Sequence, residues 1–195
     1  NPKVGAVFTY YLKDNIQTIK QKRRAAEQEK MKNKETVTYP PADSLRLEDE
    51  QPAPHLLFTV SDENGNVVRR IKTAAQQGLH RIVWDFRTAP FGPVDFTPFD
   101  ESFAFSSPDQ GYMALPGTYK VSLSKFEDGI YTELVAPQSF NAVTLNHATL
   151  PATDKKALDL FCKKVGELSR VIQSANQYRD ELVTRLRYMK QAALD

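Results

Sequence analysis

Two segments with strict alternation constrain this fold more than any other feature of the chain. In Gly78-Leu79-His80-Arg81-Ile82-Val83-Trp84-Asp85-Phe86-Arg87, the residues Ile82, Trp84 and Phe86 share one face, and Arg81, Asp85 and Arg87 share the other. In residues 114–123 (ALPGTYKVSL), a Pro-Gly turn opens a run that places Tyr119, Val121 and Leu123 on one side. A side-chain period of two belongs to a strand with one buried face. A chain that carries both segments must build a sheet and cover one side of it.

The other strands follow from the same logic. Residues 4–13 are rich in β-branched and aromatic side chains and read as a strand. Residues 55–61 alternate, with Leu56, Phe58 and Val60 on one face. The pair Asn64-Gly65 then predicts a hairpin into residues 67–73, because both residue types tolerate positive φ. Asp128-Gly129 predicts a second hairpin, joining residues 117–126 to residues 130–144. Pro137 cannot donate to a ladder, so that last strand belongs at an edge or carries a bulge.

Helical signals occur twice. Asp14 and Asn15 can cap a stretch from Ile16 to about Lys34 that lacks Gly and Pro. Its apolar residues are sparse (Ile16, Ile19, Ala25, Ala26, Met31), so it reads as a mostly solvated helix. The cations Lys20, Lys22, Arg23, Arg24, Lys30, Lys32 and Lys34 are interleaved with Glu27, Glu29 and Glu35 and lack stacking aromatics. They read as a solvated face, not as a nucleic-acid surface. Residues 36–54 hold Pro40, Pro41, Pro52, Pro54 and the cluster Glu48-Asp49-Glu50, and read as an extended surface loop.

The second signal fills the C-terminus. Thr153 is the expected N-cap, with Asp154 in the first turn. From there to Leu194 there is no proline and one glycine, Gly166. Leu158, Phe161, Val165, Leu168, Ile172 and Ala175, then Leu182, Leu186, Met189 and Ala193, recur at alternating spacings of 3 and 4, interrupted by Arg179. That is a heptad seam. It predicts one helix of about 40 residues, roughly 60 Å long at 1.5 Å per residue. A hairpin broken near Ser174-Ala175-Asn176 is the other solution. So long a helix cannot bury its seam on a small sandwich, so it needs a downstream helix or a second copy of itself. Leu158, Phe161, Val165, Leu168, Ile172, Leu182, Leu186 and Met189 are therefore the expected association seam.

The predicted fold is α+β: an antiparallel β-sandwich over residues 1–150, with a helical insertion at 15–35 and a loop at 36–54, followed by a long helix at 151–195. Net charge is +2, from 26 basic and 24 acidic residues, so no global field points to nucleic acid or an anionic membrane. No apolar run is long enough to span a bilayer. A single cysteine, Cys162, excludes an intrachain disulfide and is expected to be buried and inert.

Chemistry-bearing residues are scattered. His55, His80 and His147 have no metal-ligand spacing and read as structural or surface residues. Asp85 beside Trp84 invites a glycosidase interpretation, with Asp62, Glu63, Asp95, Asp100 or Glu101 as a second carboxylate. Alternation instead places Trp84 in the core. No catalytic, cofactor or metal residue is assigned. Residues 88–112 form a long loop with four prolines and the aromatics Phe91, Phe96, Phe99, Phe103, Phe105 and Tyr112. Rings this dense are expected to pack on the domain or dock on a neighbour, with a glycan platform as the alternative.

Residues 58–70 (FTVSDENGNVVRR), 78–87 (GLHRIVWDFR) and 115–123 (LPGTYKVSL) resemble the immunoglobulin-like module of the flagellar hook-capping protein. They also resemble the module that follows the β-propeller in large bacterial exported proteins with sortilin-like or BNR repeats, often labelled glycosyl-hydrolase-like. Residues 5–12 (GAVFTYYL) and 150–154 (LPATD) are similar to that second group. The resemblance implies an immunoglobulin-like sandwich and a non-catalytic accessory module of a larger exported protein. It further implies a periplasmic or secreted location, an upstream propeller as partner, and self-association through the helix. A carbohydrate-binding or glycosidase accessory role is the alternative. No Ser-x-Asp-x-Gly-x-x-Trp box occurs here, so the hydrolase label does not carry over to these residues.

Overall fold

The computed structural model describes residues 4–93, 111–144 and 154–194. The chain divides into two compact units, one of Asn1–Phe86 with Gly117–Ala142, the other of Arg87–Pro116 with Val143–Asp195. The class is α+β, with six strands in two antiparallel sheets and three helices among the described residues.

In the first unit, β1 (Ala6–Leu12) pairs with β4 (Gly78–Trp84) from Ala6 opposite Trp84 to Leu12 opposite Gly78. The second sheet has the order β3-β2-β5-β6, from β2 (His55–Asp62), β3 (Val67–Ala74), β5 (Gly117–Glu127) and β6 (Ile130–Ala142). The alternating residues supply the core. Leu56, Phe58 and Val60 on β2, Tyr119 and Leu123 on β5, and Trp84 on β4 are all buried. Rings join the two sheets. Phe8 stacks on Phe58 at 6.3 Å and meets Phe140 edge-on at 5.3 Å. Trp84 meets Tyr119 at 5.1 Å and Phe140 at 6.0 Å, both edge-on. Edge-to-face pairs of this kind add to what area burial alone contributes.

Three local expectations change. First, β4 stops at Trp84, and Phe86 has φ 60°. Phe86 therefore reaches the Trp84 ring, 5.2 Å away, from a left-handed turn and not by strand alternation. Second, the Asn-Gly hairpin is not a two-residue turn. Only Gly65 has positive φ, at 87°, and four residues, 63–66, separate the strands. The Asp62 carboxylate accepts from the Asn66 backbone N–H at 2.8 Å and from the Asn66 amide at 2.9 Å, which closes this longer loop. At Asp128-Gly129 both residues do take positive φ, 51° and 81°. Third, the proline-rich stretch 36–54 contains a helix, α2 (Ala42–Glu50).

Helix α1 (Ile19–Lys32) starts later than Asp14 and Asn15 suggest. Thr18 is its cap, in a capping box in which the Thr18 hydroxyl accepts from Gln21 N–H at 3.1 Å and the Gln21 side chain accepts from Thr18 N–H at 2.9 Å. Strand β6 lies at the sheet edge, and its register slips between Gln138 and Val135, around Pro137. That is where a residue without an N–H fits.

The second unit is built on α3 (Lys155–Ala192), a single unbroken helix of 38 residues and so about 57 Å long. No break occurs near Ser174-Ala175-Asn176. The cap is Asp154, not Thr153: its carboxylate accepts from the N–H groups of Lys156 at 2.9 Å and Ala157 at 3.0 Å. Residues 88–93 and 111–116, read from sequence as a sandwich loop, fall in this unit with α3.

Candidate interaction site

Helix α3 carries the most distinctive surface. Its heptad residues stay solvent-exposed: Leu158, Phe161, Val165, Leu168, Ile172, Leu182, Leu186 and Met189 range from 39% for Leu182 to 68% for Met189. From residue 170 to 194 every residue is exposed. A row of large apolar side chains in water is uncommon on the surface of a monomeric protein. Arg179 sits on the same stripe, with its guanidinium on the Asp180 carboxylate at 2.9 Å and 3.1 Å.

Among the described residues of its own unit, the N-terminal half of α3 packs against Phe91 and Tyr112. Phe91 and Tyr112 stack at 5.5 Å with planes 6° apart. The Phe91 ring lies directly on Gly166, where any Cβ would overlap ring carbons, and Gly166 is the only buried residue of the helix. The Tyr112 hydroxyl donates to Asp159 at 2.8 Å. The Arg87 guanidinium donates to Gly111 O at 3.0 Å, and Thr88 N–H to Tyr112 O at 2.9 Å, which fixes the two chain segments side by side. The lone helical glycine is therefore a landing site for a ring. Gly166 interrupting an otherwise strong helix pattern was the available signal for it.

This contact leaves a cleft of about 340 Å³, with Phe91 and Tyr112 on one side and Phe161, Val165 and Cys162 of α3 on the other. It is continuous with the apolar stripe, since Phe161 and Val165 belong to both. Cys162 is half-buried at this cleft, not sealed in a core as expected. Of the aromatic loop, Phe96, Phe99, Phe103 and Phe105 lie outside the described residues.

The first unit holds a polar cluster that the sequence did not announce. Glu48 of α2, with its side chain 2% exposed, receives Arg23 of α1 through two contacts, Nε to Oε1 at 2.5 Å and Nη2 to Oε2 at 2.8 Å. Arg23 also donates to Glu27 at 2.6 Å. The Arg23 hydrogen bond holds the Glu48 carboxyl below its ordinary value, and the two carboxylates hold the Arg23 guanidinium protonated even more firmly than usual. Lys20 pairs with Asp49 at 3.3 Å and Lys22 with Glu127 at 3.2 Å. Glu127 is also held low, first by Lys125 and then by Lys22. Part of the basic face of α1 is thus committed to carboxylates of its own chain. An open groove of about 560 Å³ runs between α1, α2 and residues 37–40.

The remaining candidates do not assemble. His55 is buried, stacked on Phe126 at 4.7 Å, with its ring nitrogens on Ala53 O and the Tyr131 hydroxyl. His80 lies 3.2 Å from Gln77 O. His147, Asp95, Asp100 and Glu101 lie outside the described residues. Trp84 is fully buried, so it has no face to offer a sugar. Among the described residues no three His, Cys, Asp or Glu side chains are grouped to hold a metal ion, and no helix is long and apolar enough to cross a membrane. Comparison of the chain with protein-family models, with curated proteins and with solved structures finds no match.

Proposed function

We propose that this chain is a non-catalytic interaction module, with its sheets as a rigid scaffold and α3 as the element that binds. The observation that carries this is the exposed stripe from Leu158 to Met189 on an uninterrupted helix. A helix with a two-in-seven apolar seam is stabilised chiefly by packing that seam against another helix. We further take the paired sheets to be an immunoglobulin-like sandwich, with Trp84 as its central core residue. Antiparallel pairing throughout and the ring contacts between the sheets support that assignment. The resemblance of residues 58–70, 78–87 and 115–123 supports a place beside a propeller in a larger exported protein.

The test is association that depends on the stripe. Sedimentation velocity on the chain alone, and titration with amphipathic helical peptides, measures pairing with a second copy or with another helix. The double variant Ile172→Asp/Leu186→Asp is expected to abolish whichever is seen while leaving the circular dichroism unchanged, because both side chains are exposed. Association that survives the variant, or none with any helix, would show that α3 is not the binding element.

A further inference from the structure

Resting on α3 as the binding element, we infer that its partner is an amphipathic helix with acidic residues flanking its apolar stripe, and not a second copy of this chain. The basis is the charge around the seam. Positions beside a heptad seam set partner choice through their charges. With Leu158, Val165, Ile172 and Leu186 in the first apolar position of each heptad, the charged residues beside the seam are Lys164, Arg185 and Lys190, and none is acidic. Arg179 occupies a seam position itself. The acidic residues Asp159, Glu167, Asp180 and Glu181 all lie on the outer positions. Over its length α3 holds nine Lys and Arg against four Asp and Glu, an excess larger than the net +2 of the whole chain.

A second copy meets like charges in either direction. Parallel and in register, Arg179 faces Arg179 and Arg185 faces Lys190 across the seam. Antiparallel, with Leu158 against Met189 and Val165 against Leu182, Lys164 faces Arg185. Arg185 has a counter-ion on its own helix, Glu181 at 2.5 Å, but both groups are more than half exposed and screened by water. Lys164 and Lys190 make no ion pair among the described residues. A partner with carboxylates at the flanking positions would pair with these groups, and one carboxylate opposite Arg179 would fix the register. The cleft beside Phe161 and Val165, continuous with the stripe, would receive an apolar side chain from the same partner. An anionic lipid surface shares the preference for basic charge. A narrow stripe with four carboxylates on the outer face fits a helix better than a bilayer.

The probes are two synthetic helices of about five heptads with the same Leu and Ile seam. One carries Glu at every flanking position and the other Lys. Fluorescence anisotropy with the full chain is expected to give at least about tenfold tighter binding of the Glu helix at low salt, with the ratio shrinking as salt rises. The triple variant Lys164→Glu/Arg185→Glu/Lys190→Glu is expected to reverse the preference. Equal binding of both helices, a dimer of the chain whose affinity the triple variant leaves unchanged, or binding to phosphatidylserine vesicles without binding to the Glu helix would each overturn the inference while leaving α3 as the binding element. Binding to none of these would overturn both.

Discussion

Trp84 and Gly166 show how single residues hold each unit together. Trp84 is the only tryptophan, is fully buried and touches rings from three directions, Phe86, Tyr119 and Phe140. Trp84→Ala is expected to lower the unfolding free energy of the first unit by about 3–5 kcal/mol, because removing a buried ring costs both its transfer energy and a cavity. Urea denaturation followed by circular dichroism measures this. A loss under 1 kcal/mol would mean that the site is not the core. Gly166→Ala separates two opposed effects. In a helix, alanine is favoured over glycine by about 1 kcal/mol. Here the new methyl would overlap the Phe91 ring. The expected result is unchanged or greater helicity, together with faster hydrogen exchange at residues 88–93 as the ring is displaced. Slower exchange there would contradict the packing.

The elements differ in how much the sequence revealed of them. Strands β2, β4 and β5 follow from alternation, because a period of two across residues 55–61 or 117–126 has one solution once a face is buried; β1 follows from its β-branched and aromatic residues, and β3 and β6 from the turn residues that precede them. Pro137 left β6 an edge or a bulge, and the strand has both. Helix α2 was hidden: its nine residues hold only Leu45 and Leu47 as large apolar side chains, flanked by prolines that favour a loop. What fixes α2 is tertiary, the Glu48 carboxylate seated on Arg23, and no local signal encodes it. The complementary charges, a basic α1 and an acidic Glu48-Asp49-Glu50, were the available clue. Asn15 and Thr18 are both good caps for α1, and the reciprocal bond from Gln21 decides for Thr18.

The ion pairs also set a pH dependence. Glu48 and Glu127 are both held below the ordinary value of 4.5 in the folded chain. Their contribution to stability is therefore present above about pH 4.5 and is lost as pH falls through the lowered folded values. The melting temperature of the first unit is expected to drop on acidification below that point. Glu48→Gln should lower it at neutral pH and flatten the acid limb. A variant as acid-sensitive as the parent would show that Glu48 does not set the acid limb.

The chain combines a ring-packed β unit with a helix that, among the described residues, has few packing partners within its own unit. Strands and helix were both legible as patterns, and so was the need of the helix for a partner, because five heptads of apolar residues exceed what a small core can absorb. Landing of Phe91 on Gly166 was not legible, since it depends on residues 75 positions apart. Nor was the distribution of charge around the seam until the helix proved continuous through Arg179. If α3 is the binding element, its stripe is open in the free chain and closed by a partner. Hydrogen exchange along α3 reads this out, because an uncovered helix opens locally at low cost. The prediction is that amides of residues 176–192 exchange much faster than those of β2 in the chain alone, and slow across the stripe from Leu158 to Met189 when the Glu-flanked helix is added. Amides at 176–192 already as protected as those of β2 in the free chain would contradict it.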